Sequence, residues 1–92
     1  MSSYNIVNSQ RCCESFELIN GILREEWGYD GLVETDWVTP CDQSENILGG
    51  GDVRMPTGDP ELLKAALANG KITRGHLERS VKRLLEAFLK IE

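Results

Sequence analysis

The elements legible along the chain run strand, helix, strand, helix, strand, helix, helix, and that order predicts an α/β fold with parallel strands. Two observations carry the prediction. Apolar residues recur at helical spacing in separate stretches, the longest near the C-terminus. Between those stretches lie short runs of strand-forming residues bounded by glycine and proline. Strands that alternate with helices are joined by crossovers, and crossovers make parallel pairs. The pattern fits an α/β barrel and a doubly wound sheet equally well.

The elements follow in order. Met1 to Asn5 is a short extended stretch, and a loop continues through Cys13. Phe16, Leu18, Ile19, Ile22, Leu23 and Trp27 then repeat at helical spacing, with Ser15 as the expected N-cap and Gly28 just past the end. Gly31 to Trp37 (GLVETDW) reads as a strand. Asp42, with Glu45 three residues later, opens a short helix in the manner of a capping box, and Gly49-Gly50-Gly51 closes it. Asp52 to Met55 is a second short strand, stopped by Pro56. Asp59-Pro60 starts a helix that runs to Asn69, because proline suits the first helical position. Thr73 caps the last helix, which places Leu77, Val81, Leu84, Leu85, Phe88 and Leu89 on one face, expected to pack on the sheet.

Composition narrows the function. The chain has 92 residues, 27% of them charged, and a formal net charge of -5. An acidic chain has no basic face for phosphates, so no nucleic-acid partner is expected. No apolar run approaches the roughly 18 residues of a membrane span, and the start, MSSYNIVNSQRCC, lacks the features of a signal peptide. A cytoplasmic location is therefore expected. The three cysteines, Cys12, Cys13 and Cys41, form no disulfide framework. A zinc site needs a fourth ligand, and the single histidine, His76, lies far along a helical pattern, so no metal is expected. Nor is the glycine triplet a phosphate loop: it precedes a strand, and no Gly-Lys-Ser/Thr follows.

In parallel sheets, functional residues gather where strands end at their C-terminal edge. That rule selects Tyr4-Asn5, Asp36-Trp37 and Met55-Pro56. A carboxylate beside an indole can hold a sugar, the aromatic face on the ring's C–H groups and the carboxylate at the anomeric carbon. A strand-end aspartate can equally be a cap or turn former.

Four motifs decide between these. Ser3-Tyr4-Asn5, Glu26-Trp27-Gly28-Tyr29-Asp30-Gly31, Thr35-Asp36-Trp37 and Asp52-Val53-Arg54-Met55-Pro56 resemble, in order and spacing, the closing barrel segments of family-three glycoside hydrolases. Gly70-Lys71-Ile72, Leu77 and Val81 to Leu85 are similar to that family's last barrel helices. The resemblance covers nearly the whole chain. It implies that residues 1–92 are a partial barrel domain: the last three strand–helix units of a TIM-type barrel, a parallel-sheet fragment with a long C-terminal helix. It implies Asp36 as catalytic nucleophile, with Tyr4, Trp37 and Met55 as substrate-binding residues, and no cofactor. The activity implied is retaining hydrolysis of terminal β-linked sugars, β-glucosides foremost, with a carbohydrate as substrate. The acid/base partner and the sugar-binding residues of earlier strands have no counterpart here, so the isolated chain is expected to turn over little or nothing. The rival is a free-standing, non-catalytic α/β module that self-associates or binds a protein partner.

Two further expectations come from the strands. Alternation puts Glu34 on the side of Asp36, and matching parity on the next strand suggests an ion pair with Arg54. Open strand edges and an uncovered sheet face predict a homo-oligomer, with the last helix as a contact surface.

Overall fold

The computed structural model describes residues 1–91. Its elements are a hairpin, β1 (Ile6–Val7) and β2 (Gln10–Arg11), a 3₁₀ turn at Cys12–Glu14, a wide helix at Glu17–Glu26, and three α-helices. These are α1 (Gln43–Gly49), α2 (Pro60–Ala68) and α3 (Arg74–Leu89). None of the described helices is long and apolar enough to cross a membrane.

The chain is an α/β fragment whose parallel pairing is made of single bridges. Ser2 pairs with Thr35, and Glu34 with Val53, both parallel. Ser2 N–H donates to Glu34 O at 2.7 Å and Asp36 N–H to Ser2 O at 3.0 Å. Thr35 N–H donates to Val53 O at 2.9 Å. The expected strands over Gly31–Trp37 and Asp52–Met55 are thus shorter than the sequence suggests. Glycine at one end, and a turn at Trp37-Val38 or proline at the other, leave few residues to pair. The hairpin falls in the stretch expected to be loop. Asn8 and Ser9 both take positive φ (51° and 66°), the geometry of a two-residue hairpin turn, without the glycine that usually announces one.

Local signals place the helix starts well. Ser15 Oγ accepts from Leu18 N at 3.1 Å, as expected of the first cap. The helix that follows has hydrogen bonds of the i to i+5 type, as in Trp27 N–H to Ile22 O at 3.0 Å. Its widened turn alters the expected stripe: Ile19 is buried, whereas Phe16 and Trp27 are exposed. Asp42 Oδ1 accepts from Ser44 N at 2.8 Å and Glu45 N at 3.3 Å. Those bonds, the Ser44 hydroxyl first, hold the Asp42 carboxyl below its ordinary range. Gly50 closes α1 at φ 108°, a conformation few other residues adopt. Asp59 caps α2 through Leu62 N at 3.1 Å, with proline at the first position. At α3 the box partner is His76: Thr73 Oγ1 accepts from His76 N, and His76 Nδ1 accepts from Thr73 N at 2.9 Å.

The last helix does not dock by its apolar stripe. Val81, Leu85, Phe88 and Leu89 are all more than half exposed. The face that meets the rest of the fold carries Arg79, Ser80 and Arg83 instead. Arg79 donates to Ile47 O at 2.8 Å, and Ser80 Oγ to Gly51 O at 3.3 Å. Arg83 donates to Asp52 Oδ1 at 3.0 Å. The partners at this junction are the backbone carbonyls of Ile47 and Gly51 and a carboxylate, so donors fit there better than methyl groups. Leu77, Val81, Leu85 and Leu89 line an open groove with Leu67.

The expected Glu34–Arg54 pair is absent from the ion pairs of the described residues. The bridge explains why: Glu34 lies opposite Val53, so Arg54, one residue on, points to the other face. Arg54 Nε is buried without a hydrogen-bond partner. In a cycle of Glu34→Ala, Arg54→Ala and the double variant, the two effects on stability add, with coupling within about 0.5 kcal/mol of zero. Thermal melts check this, and a larger coupling would mean that the side chains meet.

Candidate active site

The bridges bring the sequence-derived candidates to one edge. Ser2, Thr35 and Val53 sit on three parallel segments, and the candidates follow the bridged positions in the same chain direction. Asp36 comes directly after Thr35, Met55 two residues after Val53, and Tyr4 two after Ser2. Alternation puts Asp36 and Met55 on the face of Glu34 and Val53, opposite the face where Val33 and Thr35 are buried.

The backbone around Asp36 is pinned on several sides. Its N–H donates to Ser2 O, its carbonyl accepts from Thr39 Oγ1 at 2.8 Å, and its own Oδ1 accepts from Trp37 N at 2.7 Å. Thr35 Oγ1 accepts from Met55 N at 2.9 Å, and Val38 N–H donates to Met55 O at 3.1 Å. Thr35 and Thr39 are each only 1% exposed. They are buried hydroxyls that fix the loop from within, and the sequence singled out neither for that task. Val38 holds φ at 55°, which costs a β-branched residue about 1–3 kcal/mol. The Met55-Pro56 peptide bond is cis.

Asp36 is half-buried, while Trp37 and Tyr4 are 64% and 55% exposed. A half-buried carboxylate at an edge that also presents exposed aromatic residues is compatible with contact to a polyhydroxylated ring. Nucleophilic chemistry at such a carboxylate would need a second carboxyl, and no side chain of the described residues is identified in that role.

Behind this edge lies a buried cluster that sequence reasoning missed. The Asp52 side chain is 0% exposed and accepts from Arg24 Nη2 at 3.0 Å, Arg83 Nη1 at 3.0 Å and Val33 N at 2.9 Å. Arg24 also donates to Gly31 O at 2.7 Å and Gly50 O at 2.9 Å. Burial, then the charge of Arg83, press the Arg24 guanidinium below its ordinary value, and the same causes act on Arg79. Asp52 thereby ties the wide helix and α3 to the segment that carries Asp36. The one available signal was an aspartate directly after three glycines, which local pattern reads as a strand start.

The thiols also come together. Cys13 and Cys41 are buried, and their sulfur atoms and a Glu14 carboxylate oxygen lie within 4.8 Å of one another. Burial, with Cys41 beside it, pushes the Cys13 thiol up to about 12.

Comparison with known proteins agrees with the four motifs. Residues 1–87 match the family model described as the glycosyl hydrolase family 3 N terminal domain. "Beta-glucosidase A" of Butyrivibrio fibrisolvens is 42% identical over 76 residues, which cover 83% of this chain and 9% of that protein. "Probable beta-glucosidase K" of Emericella nidulans is 36% identical over 93 residues, covering 98% of this chain and 11% of that one. Among solved structures, β-glucosidase 3B from Thermotoga neapolitana in complex with glycerol superposes with a TM-score of 0.85. It is 30% identical and matches 90% of this chain and 13% of its own. The chain thus spans about a tenth of the length of the curated relatives it matches.

Proposed function

Because the chain belongs to the family of the glycosyl hydrolase family 3 N terminal domain, we propose that it supplies the nucleophile-bearing part of a retaining β-glucosidase. The units of the fold are read as the last three strand–helix units of a (β/α) barrel, a fold that closes with eight strands. Parallel bridges between the segments at Ser2, Glu34-Thr35 and Val53 support that reading. The β-glucosidases among its relatives support the substrate class, terminal β-linked glucosides. They give no support to a free-standing binding module.

In the proposed mechanism Asp36 attacks the anomeric carbon while the bond to the leaving oxygen breaks. A carboxyl group outside this chain protonates that oxygen, then takes a proton from the water that releases the sugar. Tyr4 and Trp37 flank the ring, and Met55 borders the same face. The observation that carries the proposal is the pinned turn: hydrogen bonds from both neighbouring segments hold the backbone of Asp36 and Met55 in one arrangement. Such preorganisation is what nucleophilic catalysis asks of its scaffold.

The experiment is a chimera. Residues 1–87 replace the matching segment of β-glucosidase A from Butyrivibrio fibrisolvens, and hydrolysis of an aryl β-glucoside is followed. The expected result is turnover by the chimera and none by the 92-residue chain. A folded chimera without turnover contradicts the proposal.

A further inference from the structure

We propose that Cys13, Glu14 and Cys41 form a binding site for a borderline-soft divalent cation, zinc above all, apart from the sugar site. Sequence spacing hides the site, because the donors come from the 3₁₀ turn at Cys12–Glu14 and from the segment that follows the Asp36 turn. The fold joins them: all three donor atoms lie within 4.8 Å of one another. Zinc with sulfur arms near 2.3 Å and an oxygen arm near 2.0–2.2 Å needs donors roughly 3.5–3.8 Å apart. Small rotations of the side chains therefore complete a coordination sphere.

The chemistry of the donors selects the cation. Two sulfurs and one carboxylate suit zinc or cobalt(II) and are poor ligands for magnesium or calcium, which prefer all-oxygen sets. Three protein donors leave a fourth position for water.

The donors are also held in place by groups that do not ligate. Asp42 N–H donates to Glu14 Oε1 at 3.0 Å, which orients the carboxylate and leaves its second oxygen free to bind. The Asn46 side-chain amide donates to Cys13 O and fixes the turn that carries the sulfur. Cys13 is 0% and Cys41 8% exposed, so an ion bound here would be shielded from competing water on the sulfur side. On binding, the metal takes the place of both thiol protons, which pass to the buffer. The bound ion would clamp the segment following Asp36 to the 3₁₀ turn.

The test uses the whole chain, reduced and under nitrogen, titrated with cobalt(II). One equivalent produces a sulfur-to-cobalt charge-transfer band, and zinc abolishes it by displacement. Cys12→Ser keeps the band, whereas Cys13→Ser and Cys41→Ser each lose it. Glu14→Gln weakens binding by at least the roughly tenfold that loss of an orienting partner costs. Zinc also raises the melting temperature of the unaltered chain, and magnesium does not, so the conclusion survives a variant that fails to fold. No band and no zinc-dependent melting shift in the reduced chain overturn the site. So does a band that persists in both serine variants, or a Cys13–Cys41 disulfide in air from a chain that ignores zinc when reduced. None of these readouts uses glucosidase activity, so the metal site and the proposed function stand or fall separately.

Discussion

Replacing Asp36 by Asn in the chimera lowers turnover by roughly ten-thousandfold or more, with binding of sugar nearly unchanged. The amide keeps the shape of the carboxylate and its contact with Trp37 N, but cannot form the covalent glycosyl-enzyme. The loss therefore appears in kcat, and the inhibition constant for glucose stays within a few fold. Steady-state kinetics with an aryl β-glucoside measure both. Equal loss in Trp37→Ala would instead make the aspartate a turn former and shift the chemistry elsewhere. For Trp37→Ala the expected change is a weaker KM, since a face that stacks on the ring in ground and transition states alike acts mainly on binding.

The second large effect is on stability. Asp52→Ala destabilises the chain by about 3–5 kcal/mol, because Arg24 and Arg83 stay buried without their counter-ion. Val33 N–H loses its acceptor in the same step, which loosens the segment leading to Asp36. For a domain of this size the melting temperature falls by roughly 12 °C or more. Cutting the exposed Lys82–Glu86 pair of α3 by Glu86→Ala is the control, with an effect below about 0.5 kcal/mol. Similar melting curves for the two variants would show that the buried cluster contributes no more than a surface pair.

The contrast between these two aspartates shows what the sequence could and could not reveal. Asp36 could be singled out as a candidate because its neighbours form a motif and because strand ends gather function. Asp52 belongs to a motif too, but its partners lie in two helices far off in the chain, and no local pattern announces them. Helix caps were legible for the opposite reason. Ser15, Asp42, Asp59 and Thr73 act on backbone within three residues, so the signal and its effect are adjacent.

Register and docking were not legible. Pairing Glu34 with Arg54 required a one-residue slip of the bridge that the fold does not make, and period-two alternation turns such a slip into the wrong face. On α3 the apolar stripe was read correctly as a stripe and wrongly as the docked face. The carbonyls of Ile47 and Gly51 and the Asp52 carboxylate favour arginine and serine at that junction, and a hydrophobicity pattern carries no information about them. The thiol cluster is a third case. Cys13 and Cys41 lie far apart in the chain and meet only through folding, so their spacing does not announce the cluster.

A nucleophile at Asp36 becomes covalently bound to the sugar, and mechanism-based labelling detects that bond. The active chimera is incubated with a 2-deoxy-2-fluoro-β-glucoside bearing a good leaving group, which slows release of the glycosyl-enzyme. Digestion and mass spectrometry then locate the added sugar. One label per chain is expected, on Asp36 within the peptide spanning Thr35-Asp36-Trp37, and none in Asp36→Asn. A label on any other carboxylate would contradict it.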